Sequence, residues 1–301
     1  MPSDLRVFER GWLSSNNILC FGSDSCALID SGYSTHAEQT LSLVAGELQG
    51  RPLDLLLNTH LHSDHCGGNA ALQGKYPEMR TLIPPGHAAF VASWDPAALS
   101  YTPTGQSCSR FTFADVLLAG TTIFLGDTEW QIHAAPGHDP HSLVFFEPLS
   151  RTLISADAFW ENGFGVVFPE LEGDTAFAQV GATLDLIERL DPHAVIPGHG
   201  RVFNYHEKIM AKARQRLDAF IGNPTRHAHH AGKVLLKFKL LEAQQMEFSN
   251  FLAWAGQTSY FRLIRKTYFS SVPLEQWVGQ LTEELIHSGV ASMKEGVIFN
   301  G

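Results

Sequence analysis

The chain reads as an α/β protein with a smaller, mainly helical segment at its C-terminal end. Three observations predict this. An apolar run, a helical pattern and a second apolar run follow one another between residues 25 and 57, the order of α/β folds. Metal-competent side chains then appear four times directly after a strand, from His60 onward and at His138, Asp157 and His199. Such strand ends are where α/β proteins place their sites. Composition also changes near residue 205. Residues 1–205 hold 9 Lys and Arg against 23 Asp and Glu, a net charge of −14, whereas residues 206–301 hold 12 against 8, a net of +4. The expected domains are therefore 1–205 and 206–301.

Short apolar runs at 5–8, 17–21 and 25–30, with Gly22-Ser23-Asp24 as a turn, predict a meander of strands. Leu41, Val44 and Leu48 mark a helix over 36–48, and Leu53 to Leu57 a buried strand. The stretch that follows, Thr59-His-Leu-His-Ser-Asp-His-Cys-Gly-Gly68, packs His60, His62, Asp64 and His65 into six residues. His60 and His62 share one side of an extended or turning backbone. Asp64 and His65 are adjacent and point elsewhere. One loop thus feeds two metal positions, and zinc, iron or manganese accepts such mixed ligands. Chance histidines in a polar loop are the bland alternative, and their density argues against it.

Residues 82–110 read as an irregular, Pro- and Gly-rich loop, either a cover over the active site or a surface excursion. Strands resume at 121–125 and 130–134 around a Gly126-Asp127 turn. Pro136-Gly137 then presents His138 at a tip. Strands follow at 143–146 and 153–157, the second ending on Asp157. Phe159, Trp160, Phe164 and Phe168 come next, either an apolar substrate pocket or core. Asp174 is the expected N-cap of an amphipathic helix carrying Phe177, Val180, Leu184 and Ile187. A last strand at 194–196 leads to Pro197-Gly198-His199-Gly200. A lone Gly-His is usually just a turn. Four such strand ends in one chain point to a shared site.

With 301 residues, 44% hydrophobic and 17% charged, the chain has a globular core and no apolar run long enough for a membrane span. Its start lacks the pattern of a secretory signal. The four cysteines form no CxxC pair, so reduced thiols and a cytoplasmic location are expected.

Taken in order, the 59–68 stretch, Pro-Gly-His138, Ser-Ala-Asp157 and Pro-Gly-His199-Gly resemble the motifs of the metallo-β-lactamase superfamily across residues 10–205. The resemblance implies an αββα sandwich with metals at one edge. It implies that His60, His62 and His138 hold one divalent ion, zinc before iron or manganese, and that Asp64, His65 and His199 hold a second. Asp157 would bridge the two, with Asp30 as polar support or a plain turn residue. A hydroxide shared by two ions is a nucleophile at neutral pH, and Asp64 is the candidate to orient it and move its proton. The fold hosts several chemistries. The aspartate bridge resembles hydroxyacylglutathione hydrolases and acyl-homoserine lactonases more than true zinc β-lactamases, although the glutathione-binding residues of the first have no evident counterparts. The expected partner is a small acyl substrate, an ester, thioester or lactone. Phe159, Trp160 and His141 are its candidate contacts; His141 is otherwise an ordinary turn residue. A sulfur dioxygenase with one iron is a further reading.

The tail carries helical patterns over 208–221, 234–241, 251–255, 260–264 and 274–285, then a hairpin through Lys294-Glu295-Gly296. Helices before a hairpin look like a winged-helix module, which superfamily members resembling lactamase-like protein two carry. That yields a rival, a phosphodiesterase or ribonuclease using Lys233, Lys237, Lys239, Arg262, Arg265 and Lys266 on phosphates. A solvated face or a homodimer contact is the plainer use of these charges. His227, His229 and His230 read as an exposed helix start, with a separate metal site as the alternative.

Overall fold

The computed structural model describes all 301 residues. Two six-stranded sheets form the body. The first holds β1 (Leu5–Phe8), β2 (Asn17–Phe21), β3 (Cys26–Ile29), β4 (Leu55–Leu57), β5 (Arg80–Ile83) and β6 (Asp115–Val116), in that order. The second holds β7 (Thr122–Leu125), β8 (Thr128–Ala134), β9 (Leu143–Glu147), β10 (Thr152–Ala156), β11 (Ala194–Pro197) and β12 (Phe203–Asn204), also in chain order. Pairing is antiparallel in the opening meander and parallel from β3 to β6, where helices supply the crossovers.

The pleat sorts the apolar residues into layers. Ile18, Cys20, Ala27, Ile29 and Leu57 of the first sheet meet Trp130, Ile132, Leu143, Phe145 and Ile154 of the second in one core. Their neighbours face outward. Leu19, Cys26, Leu28 and Leu56 pack on α1 (Ala37–Leu48) through Val44 and Leu48, and on α3 (Asn69–Lys75) through Leu72. Between these two helices lies one short turn, α2 (Ser63–Cys66). Val144, Phe146, Leu153 and Val195 pack on the far side of the second sheet. The body is the expected αββα sandwich.

Residues 82–110 are more ordered than their Pro and Gly content predicts. Ile83 ends β5, and α4 (Ala88–Ser93) and α5 (Tyr101–Thr104) follow. Val91, Leu99, Tyr101 and Phe111 bury themselves against Leu61 and Cys66 of the metal-type loop, and this packing holds turns too short to show a helical period. All four cysteines are free.

Next come α6 (Phe168–Glu172) and α7 (Ala176–Leu190). Asp174 is not the N-cap. The Glu170 carboxylate accepts from the Ala176 and Phe177 N–H groups at 2.8 and 3.0 Å instead, because α6 delivers an acid to that helix end. Helix α8 (Glu207–Gly222) lays Met210, Ala213, Leu217 and Phe220 on α7 and so shares the outer core of the second sheet. The remaining helices, α9 (Pro224–Ala243), α10 (Phe248–Gln257), α11 (Ser259–Tyr268) and α12 (Leu274–His287), enclose a separate core around Trp277, Phe251, Phe261 and Leu281. A three-stranded sheet of β13 (Gln245–Glu247), β14 (Ala291–Lys294) and β15 (Val297–Asn300) closes it, so the predicted hairpin gains a third strand. No helix is long and apolar enough to cross a membrane.

Candidate metal centre

Each predicted ligand is delivered by the end of a strand. The 58–62 segment leaves β4, and His65 follows on the first turn of α2. His138 follows β8. Gly137 has φ 142°, and a side chain there would meet Val180 of α7 at 2.6 Å, so only glycine makes that turn. Asp157 follows β10, whose ladder is irregular before a left-handed Ala156 at φ 45°. Such a backbone is unfavourable for alanine and re-aims the next side chain. His199 follows β11. Gly198 lies against Asp157 Oδ1 and the His65 ring, leaving no room for a Cβ.

The ligand atoms converge in two groups, His60 with His62 and His138, and Asp64 with His65, Asp157 and His199; within each they lie inside 4.8 Å of one another. His62 Nδ1 sits 3.1 Å from His60 Nε2 and 2.8 Å from His138 Nε2. Asp157 spans the groups. Its Oδ2 is 3.3 Å from His138 Nε2, while its Oδ1 is 3.4 Å from His65 Nε2 and 3.8 Å from His199 Nε2. Asp64 Oδ2 lies 3.0 Å from His199 Nε2.

The outer nitrogens fix which lone pairs face inward. His138 Nδ1 donates to Val166 O at 2.5 Å, and His65 Nδ1 donates to Asp30 Oδ2 at 2.8 Å. Asp30, buried and left-handed at φ 57°, also accepts from Thr59 N–H at 2.9 Å and Thr59 Oγ1 at 2.8 Å. It therefore holds both the loop and a ring, more than a turn residue does. Asn16 carries no signal in the sequence. Its Nδ2 donates to Pro197 O and Gly200 O at 2.9 and 2.8 Å, fastening the His199 turn. An asparagine 181 residues before Pro197 belongs to no local motif with it.

Electrostatics match a cation site. Burial, then the charge of His138, pushes His62 down to about 4. Burial, then His65 and His62, holds His60 well below its ordinary value. Both are thus neutral imidazoles, the ligand form. Burial pushes Asp157 up, yet His199 and His65 hold it well below the usual carboxylate range. Asp64 is lowered against its own burial by His65 and His199. His65 Nε2 and Asp157 Oδ1 are buried without a hydrogen-bond partner. Inward lone pairs on His60 and His62, ionised buried carboxylates and unsatisfied donor atoms suit two divalent cations. Against its burial, Asp157, Asp30 and Asp64 hold a proton on His65, and one of these cations would displace it.

Both groups open into one cavity of about 420 Å³. Trp160 lines it, and Trp12, 57% exposed, stacks on the His199 ring at 5.4 Å. Phe159 does not line it. This ring is fully buried against Phe203 and Tyr205, because the chain turns after Asp157 and sends successive aromatics to opposite sides. His141 is also absent from the lining. It stands half-buried against His87 at 4.6 Å, its N–H bound to Asp139 Oδ1. The tail contributes Arg216, His230, Val234, Phe238 and Tyr260 to the wall, residues that no sequence pattern joins to the site.

The tail histidines are neither an exposed start nor a metal group. His227 is buried inside α9 and accepts from Val167 N–H at 3.1 Å. His229 pairs with Glu284, and His230 accepts from Arg216. One helix turns their rings to different neighbours.

The model of the metallo-beta-lactamase superfamily matches residues 10–199. A hydroxyacylglutathione hydrolase from Thermosynechococcus vestitus is 24% identical over 182 residues, spanning 60% of each chain. One from Synechococcus sp. is 25% identical over 233 residues, 77% of this chain and 80% of that one. Among solved structures, a beta-lactamase domain protein from Burkholderia ambifaria has a TM-score of 0.61 at 20% identity, covering 99% of this chain and 92% of that one. A metallo-beta-lactamase family protein from Thermus thermophilus has 0.58 at 16%, covering 100% and 99%. The helical tail therefore recurs together with the sandwich. Ordered motifs, converged donors and a family match across most of the body agree: the chain belongs to the metallo-beta-lactamase superfamily.

Proposed function

We propose that the protein is a metal-dependent hydrolase of an ester, thioester or lactone. The observation that carries this reading is the pair of donor groups, joined by Asp157, at the wall of a single largely apolar cavity. His60, His62 and His138 would hold one ion, and Asp64, His65 and His199 the other, with Asp157 between them. Bound there, divalent ions, zinc first, lower the pKa of water from ~15.7 toward ~7 and polarise a carbonyl oxygen. Asp64 borders the cavity, where its carboxylate orients the attacking water and takes its proton. Trp12, Trp160, Phe168 and Phe238 supply an apolar wall for an acyl group and exclude bulk water. Relatives named as hydroxyacylglutathione hydrolases put thioesters first among the carbonyl substrates.

The tail cations favour this reading over phosphodiester cleavage. Lys233 pairs with Glu284 and Lys239 with Glu242. Lys237 donates to Val290 O and Asn300, and Arg262 and Arg265 donate to backbone carbonyls. Of the six candidate phosphate contacts only Lys266 is left without a partner.

Parallel assays on a thioester, a lactone, a phosphodiester and an RNA test this. Acyl turnover is expected, abolished by a chelator and lowered roughly 10²–10⁴-fold in kcat by Asp64→Asn. Faster cleavage of RNA or phosphodiester, or acyl turnover indifferent to chelator, overturns it. Elemental analysis of the active sample separates zinc from iron and manganese.

A further inference from the structure

Arg216 is the one lysine or arginine among the residues lining the cavity. It projects from α8 over the rings of Phe164 and Phe220, at 5.5 and 5.2 Å from their centroids. Its Nη1 donates to Asn162 O at 3.5 Å and its Nη2 to His230 Nε2 at 2.8 Å. Both acceptors are neutral, and Nε is buried with no partner at all. Arg214, one half-turn earlier, differs: it pairs with Asp185 and Glu188. A partly desolvated guanidinium without a counter-ion is costly, and natural proteins rarely leave one so. Burial, and then the charge of Arg226, lowers its pKa. No carboxylate opposes that.

The remaining N–H groups of Arg216 form a fork suited to a two- or three-oxygen anion. His230 orients this fork. Burial, then Arg216, pushes His230 down to about 3, so its ring stays neutral and accepts the guanidinium proton. None of the carboxylates in the same wall pairs with Arg216: Asp64 and Asp157 belong to the donor groups, Asp139 accepts from His141 N–H, Glu172 accepts from the Tyr260 hydroxyl, and Asp174 makes no ion pair with the guanidinium. We infer that Arg216, aligned by His230, binds an anionic group, carboxylate or phosphate, that the substrate carries away from the bond being cut. This specificity role rests on the acyl-hydrolase reading above.

Two matched pairs of thioesters test it. Succinyl against butyryl N-acetylcysteamine isolates a carboxylate, and acetyl-4′-phosphopantetheine against acetyl-pantetheine isolates a phosphate. The wild type is expected to prefer the anionic member of one pair. Arg216→Met lowers kcat/KM for that member roughly 10–100-fold and leaves the neutral member within about twofold, while Arg216→Lys recovers part of the loss. An arginine that only stacks on Phe164 and Phe220 lowers both members equally and lowers Tm with them. That result, or no preference in either pair, overturns the inference. Calorimetric binding of succinate and of inorganic phosphate to wild type and Arg216→Met needs no turnover. Arg216-dependent binding without cleavage of any thioester, ester or lactone sinks only the hydrolase reading. Cleavage with binding unchanged by Arg216→Met sinks only the anion site.

Discussion

At the scale of single residues, polarity buried outside the metal groups also sets behaviour. His227 is 1% exposed, and its Nε2 receives the Val167 N–H in the segment that also gives His138 its Val166 carbonyl. Burial, then Arg216, pushes it from 6.5 down to about 4. The unfolded chain therefore takes up this proton first as pH falls. The stability it contributes is complete above pH 6.5 and is lost between 6.5 and 4, by an amount on the order of 3 kcal/mol. His227→Gln keeps an acceptor for Val167 but does not titrate. Its Tm is expected to vary less with pH across that window than the wild-type Tm. Parallel Tm profiles for the two proteins contradict this.

At the scale of elements, α9 has two duties. One face supplies His230, Val234 and Phe238 to the cavity, and the other packs on α12. The close approach is made at Gly232, where a Cβ would lie 2.9 Å from Leu281 and 3.0 Å from Trp277. Gly232→Val crowds the buried Leu281 and Trp277 side chains at this helix contact. The expected cost is about 1–3 kcal/mol, read as a lower Tm, and KM rises because the cavity wall moves with the helix. A Tm loss with KM unchanged indicates that the two faces of α9 are not mechanically linked. The 82–110 segment shows the same principle. Its helices are set by the surface they cover rather than by their own sequence.

At the scale of the whole molecule, the two donor groups draw on both sheets: His60 to His65 on the first, His138, Asp157 and His199 on the second. Ions held by these residues would tie the sheets together, and ligands that bind only the folded state stabilise it. Dialysis against a chelator is expected to lower Tm by roughly 5–10 °C, with recovery on adding zinc. A Tm unmoved by the chelator in a sample shown to have lost its metal counts against a shared site.

The sequence by itself determined the α/β class and the seven candidate donors, and the resemblance of its motifs to the superfamily implied the sandwich; the order of strands within each sheet came from the structure. Strand periodicity is local, and although one histidine past a strand end reads as a turn, four metal-competent strand ends in one chain read as a site. It also marked the tail as helical, from spacings of three and four. Only the tertiary structure decided which aromatic faces the cavity, so Trp160 lines it while Phe159 enters the core. Only there do Trp12, Asn16 and Arg216 reach a site whose ligands lie many residues away. Those roles depend on contacts between distant segments, and no pattern within a short window of sequence encodes a contact of that kind.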